Sequence, residues 1–192
     1  MTAESATEPD TSRRGTRRLQ LLERMPKGGI AAEIGVWEGR FSERILDIVR
    51  PAELHLIDPW LYQPEFANTG FGRKKNADRM DQMYHDVTAR FAGIPAVRVH
   101  RAPSSTAMQG FPDAYFDWVY VDGNHNDPFV SQDLDLCRRK VKPGGIIAGD
   151  DFNWRSGQET PVKDAVQRLV AGLGAAAKIR LLGNQYMIRL PK

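Results

Sequence analysis

The chain of 192 residues has a single cysteine, Cys137, and no long uninterrupted run of apolar residues. One cysteine excludes an intramolecular disulfide and a zinc site built from cysteines. A membrane-spanning helix needs about 18 or more consecutive apolar residues, and the first residues lack the apolar core of a secretory signal. We therefore expect a cytoplasmic protein with no membrane partner, in which Cys137 is a small buried hydrophobe on a helix.

Neither sign of charge dominates the composition. Lysine and arginine number 27 and aspartate and glutamate 24, for a net charge of +3, which by itself does not indicate a nucleic-acid-binding protein. Hydrophobic residues make up 41 %, as in a globular domain with a sizeable core. Residues 1–16 contain almost nothing large and apolar, so we expect a disordered tail followed by a single domain over residues 17–192.

Strand-like and helix-like patterns alternate along the rest of the chain. Apolar residues at three- and four-residue spacing predict helices between five short apolar runs, and two further strand-like runs flank Gly183-Asn184. This order predicts an α/β, Rossmann-like fold with a mostly parallel seven-stranded sheet, helices on both faces and a C-terminal antiparallel hairpin at one edge. The five predicted parallel strands are residues 30–36, 54–57, 97–100, 116–121 and 146–148.

Ligands of such sheets bind beyond the carboxyl ends of the strands, and polar or glycine residues follow the predicted strands here. Gly35 and Gly39 allow a tight turn and a close approach of a ligand to the next helix N-terminus. Glu38 would repel a pyrophosphate, whereas a cofactor with a sulfonium and an amino group suits Glu33 and Glu38. Asp58, after the second strand, is placed to accept hydrogen bonds from ribose hydroxyls.

Five segments carry a resemblance to a known family. AAEIGVWEGRFSERIL, LHLIDPW, HRAPSS, FDWVYVDGNH and KPGGIIAGDDF resemble, in this order, the motifs of class I S-adenosylmethionine-dependent methyltransferases, in particular the branch that methylates oxygen atoms of small molecules. The resemblance spans about residues 28–190 and implies S-adenosylmethionine as the cofactor.

The resemblance also implies the cofactor-binding residues. Gly35 and Gly39 flank the methionine moiety, Asp58 binds the ribose, and Ser104 or Ser105 lies near the adenine. For Trp60, next but one after Asp58, stacking on the adenine and a purely structural role are both open.

Three carboxylates follow the predicted fourth and fifth strands: Asp122, Asp150 and Asp151. If these strands are neighbours, the carboxylates converge and repel one another, and a Mg²⁺ ion would resolve the repulsion. Metal-dependent O-methyltransferases of catechols, caffeoyl esters and sugars have acidic residues at the matching positions. The resemblance therefore implies that the three aspartates bind the metal and that Asp122 also borders the cofactor; purely structural roles are the alternative.

His125 lies three residues beyond Asp122, at a position that carries the base in the similar enzymes. A neutral imidazole suits the removal of a hydroxyl proton near pH 7. The resemblance thus implies that His125 deprotonates the acceptor, whose oxygen attacks the sulfonium methyl in line.

The expected partner is a small hydroxylated acceptor such as a sugar, a phenol or another natural product. A metal-independent methyltransferase and a non-catalytic cofactor-binding module are alternatives. An RNA-binding protein or RNA methyltransferase is another, because six basic residues lie between positions 13 and 27. No dedicated RNA-binding appendage and no Asn-Pro-Pro-Tyr-type motif follow, which argues against nucleic acid. We also expect a homodimer if a partner covers the acceptor site.

Overall fold

The computed structural model describes residues 12–192, which form one seven-stranded sheet with helices on both faces. No helix within these residues is long and apolar enough to cross a membrane. The strand order is β3-β2-β1-β4-β5-β7-β6. The strands are β1 (Ile30–Ile34), β2 (Glu53–Asp58), β3 (Val97–Arg101), β4 (Phe116–Val121), β5 (Val141–Gly149), β6 (Lys178–Leu182) and β7 (Gln185–Arg189).

The pairing of the strands confirms the predicted fold class. Strands β1 to β5 run parallel to their neighbours, and β7 pairs antiparallel with both β5 and β6. The predicted hairpin is β6 and β7, joined at Gly183, which has the positive φ of 65° that such a turn favours.

Helix α1 spans Arg13–Leu22 and therefore begins within the predicted tail. For residues 13–16 the prediction of disorder is wrong, and the part of the tail up to residue 11 lies outside the described residues. Ser12 caps the helix, since its hydroxyl oxygen accepts a hydrogen bond from the backbone N–H of Gly15 at 3.0 Å. Polar residues carry no apolar periodicity, so the sequence pattern gave no sign of this first turn.

The remaining helices cover the two faces of the sheet. The helices after α1 are α2 (Arg40–Val49), α3 (Met80–Phe91), α4 (Ser104–Ala107), α5 (Phe129–Lys140) and α6 (Pro161–Leu173), with 3₁₀ turns at Pro64–Phe66, Lys74–Arg79 and Met108–Gly110. Leu21 of α1 and Ile45 of α2 belong to the core layer on one face, and Leu134 of α5 and Val166 of α6 to the layer on the other.

The sheet order places the crevice for a ligand. From β1 the chain proceeds through β2 and β3 on one side, and β4 and β5 continue the sheet on the other. A crevice opens at such a switch point, outside the carboxyl ends of the strands. Because β1, β2, β4 and β5 are parallel, the residues that follow them meet at one edge of the sheet.

A buried histidine, His55, lies in the sheet away from this edge, beside the half-buried His100. His55 of β2 is 4 % exposed, and its Nδ1 lies 2.9 Å from Nε2 of His100. The rings of Phe111 and Phe116 contact it edge-on. Burial lowers the pKa of His55 to about 4, although the carboxylate of Glu53 opposes the shift. The folded protein therefore holds this imidazole neutral.

This burial makes stability depend on pH. The unfolded chain takes up a proton at His55 below a pKa of about 6.5, whereas the folded chain does so only near the folded pKa of about 4. We expect His55 to lower the free energy of unfolding by up to about 3 kcal/mol between these pH values, with no contribution above them. Urea unfolding of wild type and His55→Phe across this range measures the difference in slope. The exposed His85→Phe is the control, and equal slopes for wild type and His55→Phe would contradict the assignment.

Candidate active site

The turn after β1 brings the backbone close to the neighbouring strand. Gly35 has φ 85°, and a Cβ at this position would lie 2.2 Å from the carbonyl oxygen of Asp122. Gly39, with φ 74°, immediately precedes α2 and makes no side-chain cap, so the first N–H groups of α2 are available to a ligand. Both glycines are therefore required by the geometry of the turn, as the sequence predicts.

Asp58 holds this turn from the end of β2. Its Oδ2 accepts hydrogen bonds from the backbone N–H groups of Val36 at 2.9 Å and Trp37 at 3.0 Å, and its Oδ1 accepts one from Trp60 at 2.7 Å. Burial raises the pKa of Asp58, although these hydrogen bonds oppose the shift. The carboxylate also borders the cavity, where its remaining lone pairs can accept from the predicted ribose. Its part in ordering the turn was not predicted.

The two glutamates of the turn have different surroundings. Glu33 is 1 % exposed and accepts a hydrogen bond from the Ser42 hydroxyl at 2.5 Å. Burial raises the pKa of Glu33 to about 8. Glu38 instead pairs with Arg40 at 3.2 Å and Arg79 at 3.1 Å, so its charge is already balanced. Glu33 makes no salt bridge with any of residues 12–192, and its carboxyl group borders the cavity, where the predicted amino group of the cofactor would lie.

Trp60 does not face the cavity. Its side chain is 2 % exposed, packs against Tyr84 with ring centroids 5.4 Å apart, and donates from Nε1 to the carbonyl oxygen of Trp37 at 2.9 Å. The backbone of Trp60 has φ 41°, and this left-handed turn directs the ring into the core. Of the two roles that the sequence leaves open for Trp60, this geometry fits the structural one and not stacking on the adenine.

Ser104 and Ser105 begin α4 and border the cavity, and the placement of one of them near the adenine stays a prediction. Ser104 donates to Oδ1 of Asp133 at 2.5 Å. Asp133 is 3 % exposed, and burial raises its pKa to about 6. Sequence reasoning missed this cavity residue. The available signal was an acidic residue on the apolar face of α5, between Val130 and Leu134.

The carboxylates after β4 and β5 converge as predicted, together with His125. Its Nε2 lies 3.4 Å from Oδ1 of Asp122 and 3.5 Å from Oδ2 of Asp151. Ligand atoms of these three residues lie within 4.8 Å of one another. Burial alone would lower the pKa of His125, but the carboxylates, Asp122 foremost, outweigh it and raise the pKa above its usual value.

Two arginines of α1 lie among these carboxylates. Arg18 donates from Nε to Oδ2 of Asp150 at 2.8 Å and from Nη2 to Asp122. Arg14 donates from Nε to Oδ2 of Asp150 at 2.7 Å and from Nη2 to Asp151 at 2.9 Å. The sequence placed Arg14 in the predicted tail and indicated Arg18 only as one of the six basic residues between positions 13 and 27. Neither was predicted as a site residue.

Asp150 is the most fully bonded of the three aspartates. It is 1 % exposed, and besides the two arginines it accepts hydrogen bonds from the backbone N–H of Asp151 at 2.7 Å and from the side-chain amide of Gln185. Gln185 in turn accepts a hydrogen bond from Tyr120 at 2.6 Å. Both carboxylate oxygens of Asp150 are thus occupied by donors from the protein, which leaves it unsuited to the predicted role of metal ligand.

One cavity of about 750 Å³ joins these groups. The glycine turn and Asp58 line one part, and His125 and the carboxylates line another. The segment after β2 contributes Leu61 and Phe71, and Trp154 forms a further wall with its ring 5.6 Å from that of His125. The cavity has the size of a site for small molecules.

Comparison with known proteins identifies the family. Residues 32–152, well over half of the chain, match the family described as "Methyltransferase domain". The chain therefore belongs to this family, and it is a class I S-adenosylmethionine-dependent methyltransferase. No protein with a curated description matches the sequence.

Solved structures share the fold at low sequence identity. A protein from Corynebacterium glutamicum has a TM-score of 0.66 at 15 % identity, over 97 % of this chain and 83 % of its own. An rRNA methylase from Streptococcus thermophilus has a TM-score of 0.60 at 12 % identity, over 95 % and 99 % of the two chains. A proposed caffeoyl-CoA O-methyltransferase from Staphylococcus aureus has a TM-score of 0.60 at 13 % identity, over 94 % and 82 %. Such identities establish the fold alone.

We expect Asp58→Ala to weaken cofactor binding. The change removes the predicted ribose acceptor and three backbone hydrogen bonds of the turn, and hydrogen bonds to a charged group contribute about 1.5–3 kcal/mol, or about tenfold to hundredfold in affinity. Calorimetric titration with S-adenosylhomocysteine measures the loss. His125→Ala, at the other part of the cavity, is expected to bind as wild type does, and an equal loss in both variants would refute this division of the site.

Proposed function

We propose that the protein transfers the methyl group of S-adenosylmethionine to a hydroxyl oxygen of a small acceptor, with His125 as the general base. One observation carries the proposal. The Nε2 atom of His125 is buried at the cavity and has no hydrogen-bond partner among residues 12–192. Its polar neighbours are carboxylate oxygens of Asp122 and Asp151 at 3.4 and 3.5 Å, which form no hydrogen bond with it, so Nε2 can still accept a proton from an acceptor hydroxyl.

The residues around the cavity fit this cofactor. The glycine turn at Gly35 and Gly39 admits a close backbone approach, Asp58 supplies acceptors for ribose hydroxyls, and Glu33 supplies a carboxyl group at the cavity. When bound, S-adenosylmethionine supplies a methyl group on a positively charged sulfur.

The surroundings of His125 suit proton removal. A hydroxyl must lose its proton as the new O–CH₃ bond forms, and the proton passes to Nε2 of His125. The carboxylates of Asp122 and Asp151, 3.4 and 3.5 Å away, stabilise the imidazolium that results. A neutral amine is nucleophilic without a base, whereas a hydroxyl needs one to remove its proton. The presence of His125 between two carboxylates therefore favours oxygen as the methylated atom.

The cavity and the basic residues favour a small acceptor over RNA. The RNA alternative rests on the basic residues between positions 13 and 27, but Arg14 and Arg18 bond to aspartates and Lys27 donates to the carbonyl oxygen of Ile48 at 2.5 Å. These three cations are less available to phosphates. The fold shared with an rRNA methylase at 12 % identity supplies no acceptor, and a homodimer remains a prediction.

The predicted Mg²⁺ does not fit the carboxylate cluster in this arrangement. The donor atoms of Asp122, His125 and Asp151 are of suitable kinds. However, Arg14 and Arg18 already bind the same carboxylates, and a divalent ion there would lie beside two guanidinium charges. We therefore favour the metal-independent alternative and assign no step to a metal.

His125→Ala is expected to slow turnover by about 10²–10⁴-fold, the usual contribution of a general base. Transfer of radiolabelled methyl from S-adenosylmethionine to a panel of phenols, catechols and sugars measures it, once an acceptor has been found. The exposed His85→Ala should retain wild-type turnover, and added imidazole should restore part of the activity of His125→Ala. Wild-type turnover by His125→Ala would refute its role as the base, and transfer to amines alone would refute O-methylation.

A further inference from the structure

We propose that Arg14 and Arg18 are positioning residues that act as the built-in cation of the site. They take the place of a divalent metal between Asp122, Asp150 and Asp151, and they hold the carboxylates that face His125. The proposal concerns the charge balance of the site and holds whichever atom the enzyme methylates.

The charges match. Three aspartates whose side chains are at most 16 % exposed meet at the end of β4 and β5, and such a group requires positive charge nearby. Two guanidinium groups supply the same charge as one divalent ion.

The contacts also bridge the aspartates as a metal would. Arg18 joins Asp122 to Asp150, and Arg14 joins Asp150 to Asp151. Each guanidinium has a fixed planar set of donors, so the bridges set direction as well as distance. Both arginines donate to the same Oδ2 of Asp150. That oxygen is therefore not available as a ligand to a metal.

The fold positions α1 for this contact. Arg14 and Arg18 are four residues apart and lie on one face of α1. Leu21 and Leu22, both 0 % exposed, fix the end of the helix in the core. The guanidinium of Arg18 also lies over the ring of Phe41, 5.1 Å from its centroid. The arginines are thus placed by packing elsewhere in α1 and not by the aspartates alone.

The arginines also fix the carboxylates beside His125, the proposed general base. Oδ2 of Asp122 bonds to Arg18 while its Oδ1 faces His125, and Oδ2 of Asp151 bonds to Arg14 and also faces His125. Loss of the arginines would free both carboxylates to rotate and would leave buried negative charge without a partner. The same carboxylates would then become available to a metal.

Binding of Mn²⁺ to the apo protein tests the proposal. Wild type is expected to show no saturable binding by calorimetry or electron paramagnetic resonance. The double variant Arg14→Gln/Arg18→Gln is expected to bind Mn²⁺ with a Kd at least about tenfold below the highest concentration at which wild type shows no saturation. The reason is that two positive charges within a few ångströms of the ion are gone. The matched control Arg17→Gln/Arg24→Gln removes two other arginines of the same region and should behave as wild type. Adding Asp122→Asn to the first variant should abolish the gained binding.

Several results would overturn the proposal. Saturable Mn²⁺ binding by wild type, or loss of wild-type methyl transfer in EDTA, would show that the arginines yield to a metal. Unchanged Mn²⁺ affinity in a double variant that still binds S-adenosylhomocysteine would show that the arginines do not take the place of a metal. If the double variant fails to fold, Arg14→Gln alone is measured, since the Arg14 side chain is 49 % exposed; it should also gain affinity, and no gain counts against the proposal. Because Mn²⁺ binding needs no acceptor, failure of this proposal is distinguishable from failure of the proposed O-methylation.

Discussion

The ion pairs between α1 and the carboxylates after β4 and β5 are the contact on which the acceptor end of the site depends. Parallel neighbouring strands bring Asp122 and Asp150 together, and the resulting repulsion must be balanced inside a protein interior. Arg18 provides that balance from a helix more than 100 residues away in the chain. Buried ion pairs add little net stability, but breaking one is costly because a charge remains unpaired. The pairs therefore join the first half of α1 to the ends of β4 and β5, while Leu21 and Leu22 hold the end of the helix in the core.

Much of the fold could be predicted because apolar spacing reports on burial. Strand β4 matches its predicted range, and the hairpin around Gly183 lies where the turn residues indicated. The first turn of α1 could not be predicted, because long-range ion pairs, and not apolar residues, hold it to the sheet. Local pattern carries no information about a partner 136 residues along the chain.

The candidate site was predictable to the extent that topology determines it. Parallel strands place Asp58 and Asp122 at one edge, and the close approach at Gly35 requires glycine. Side-chain direction is not determined in this way: the turn at Trp60 sends its ring into the core, and Asp133 reaches the cavity from within a helix. Sequence also shows that three carboxylates need a cation without showing which one is supplied, so a metal was expected where the structure has arginines.

The bonding of Asp150 has a consequence for biosynthesis. Its donors come from Arg14, near the first described residue, and from Gln185, in the last strand. The polar group at the centre of the acceptor end is therefore complete only after β7 has left the ribosome and paired with β5. Closing contacts over such long stretches of chain is slow relative to local helix formation. A nascent chain in which Asp58 already holds the glycine turn would thus contain these predicted cofactor-binding residues well before it could perform catalysis.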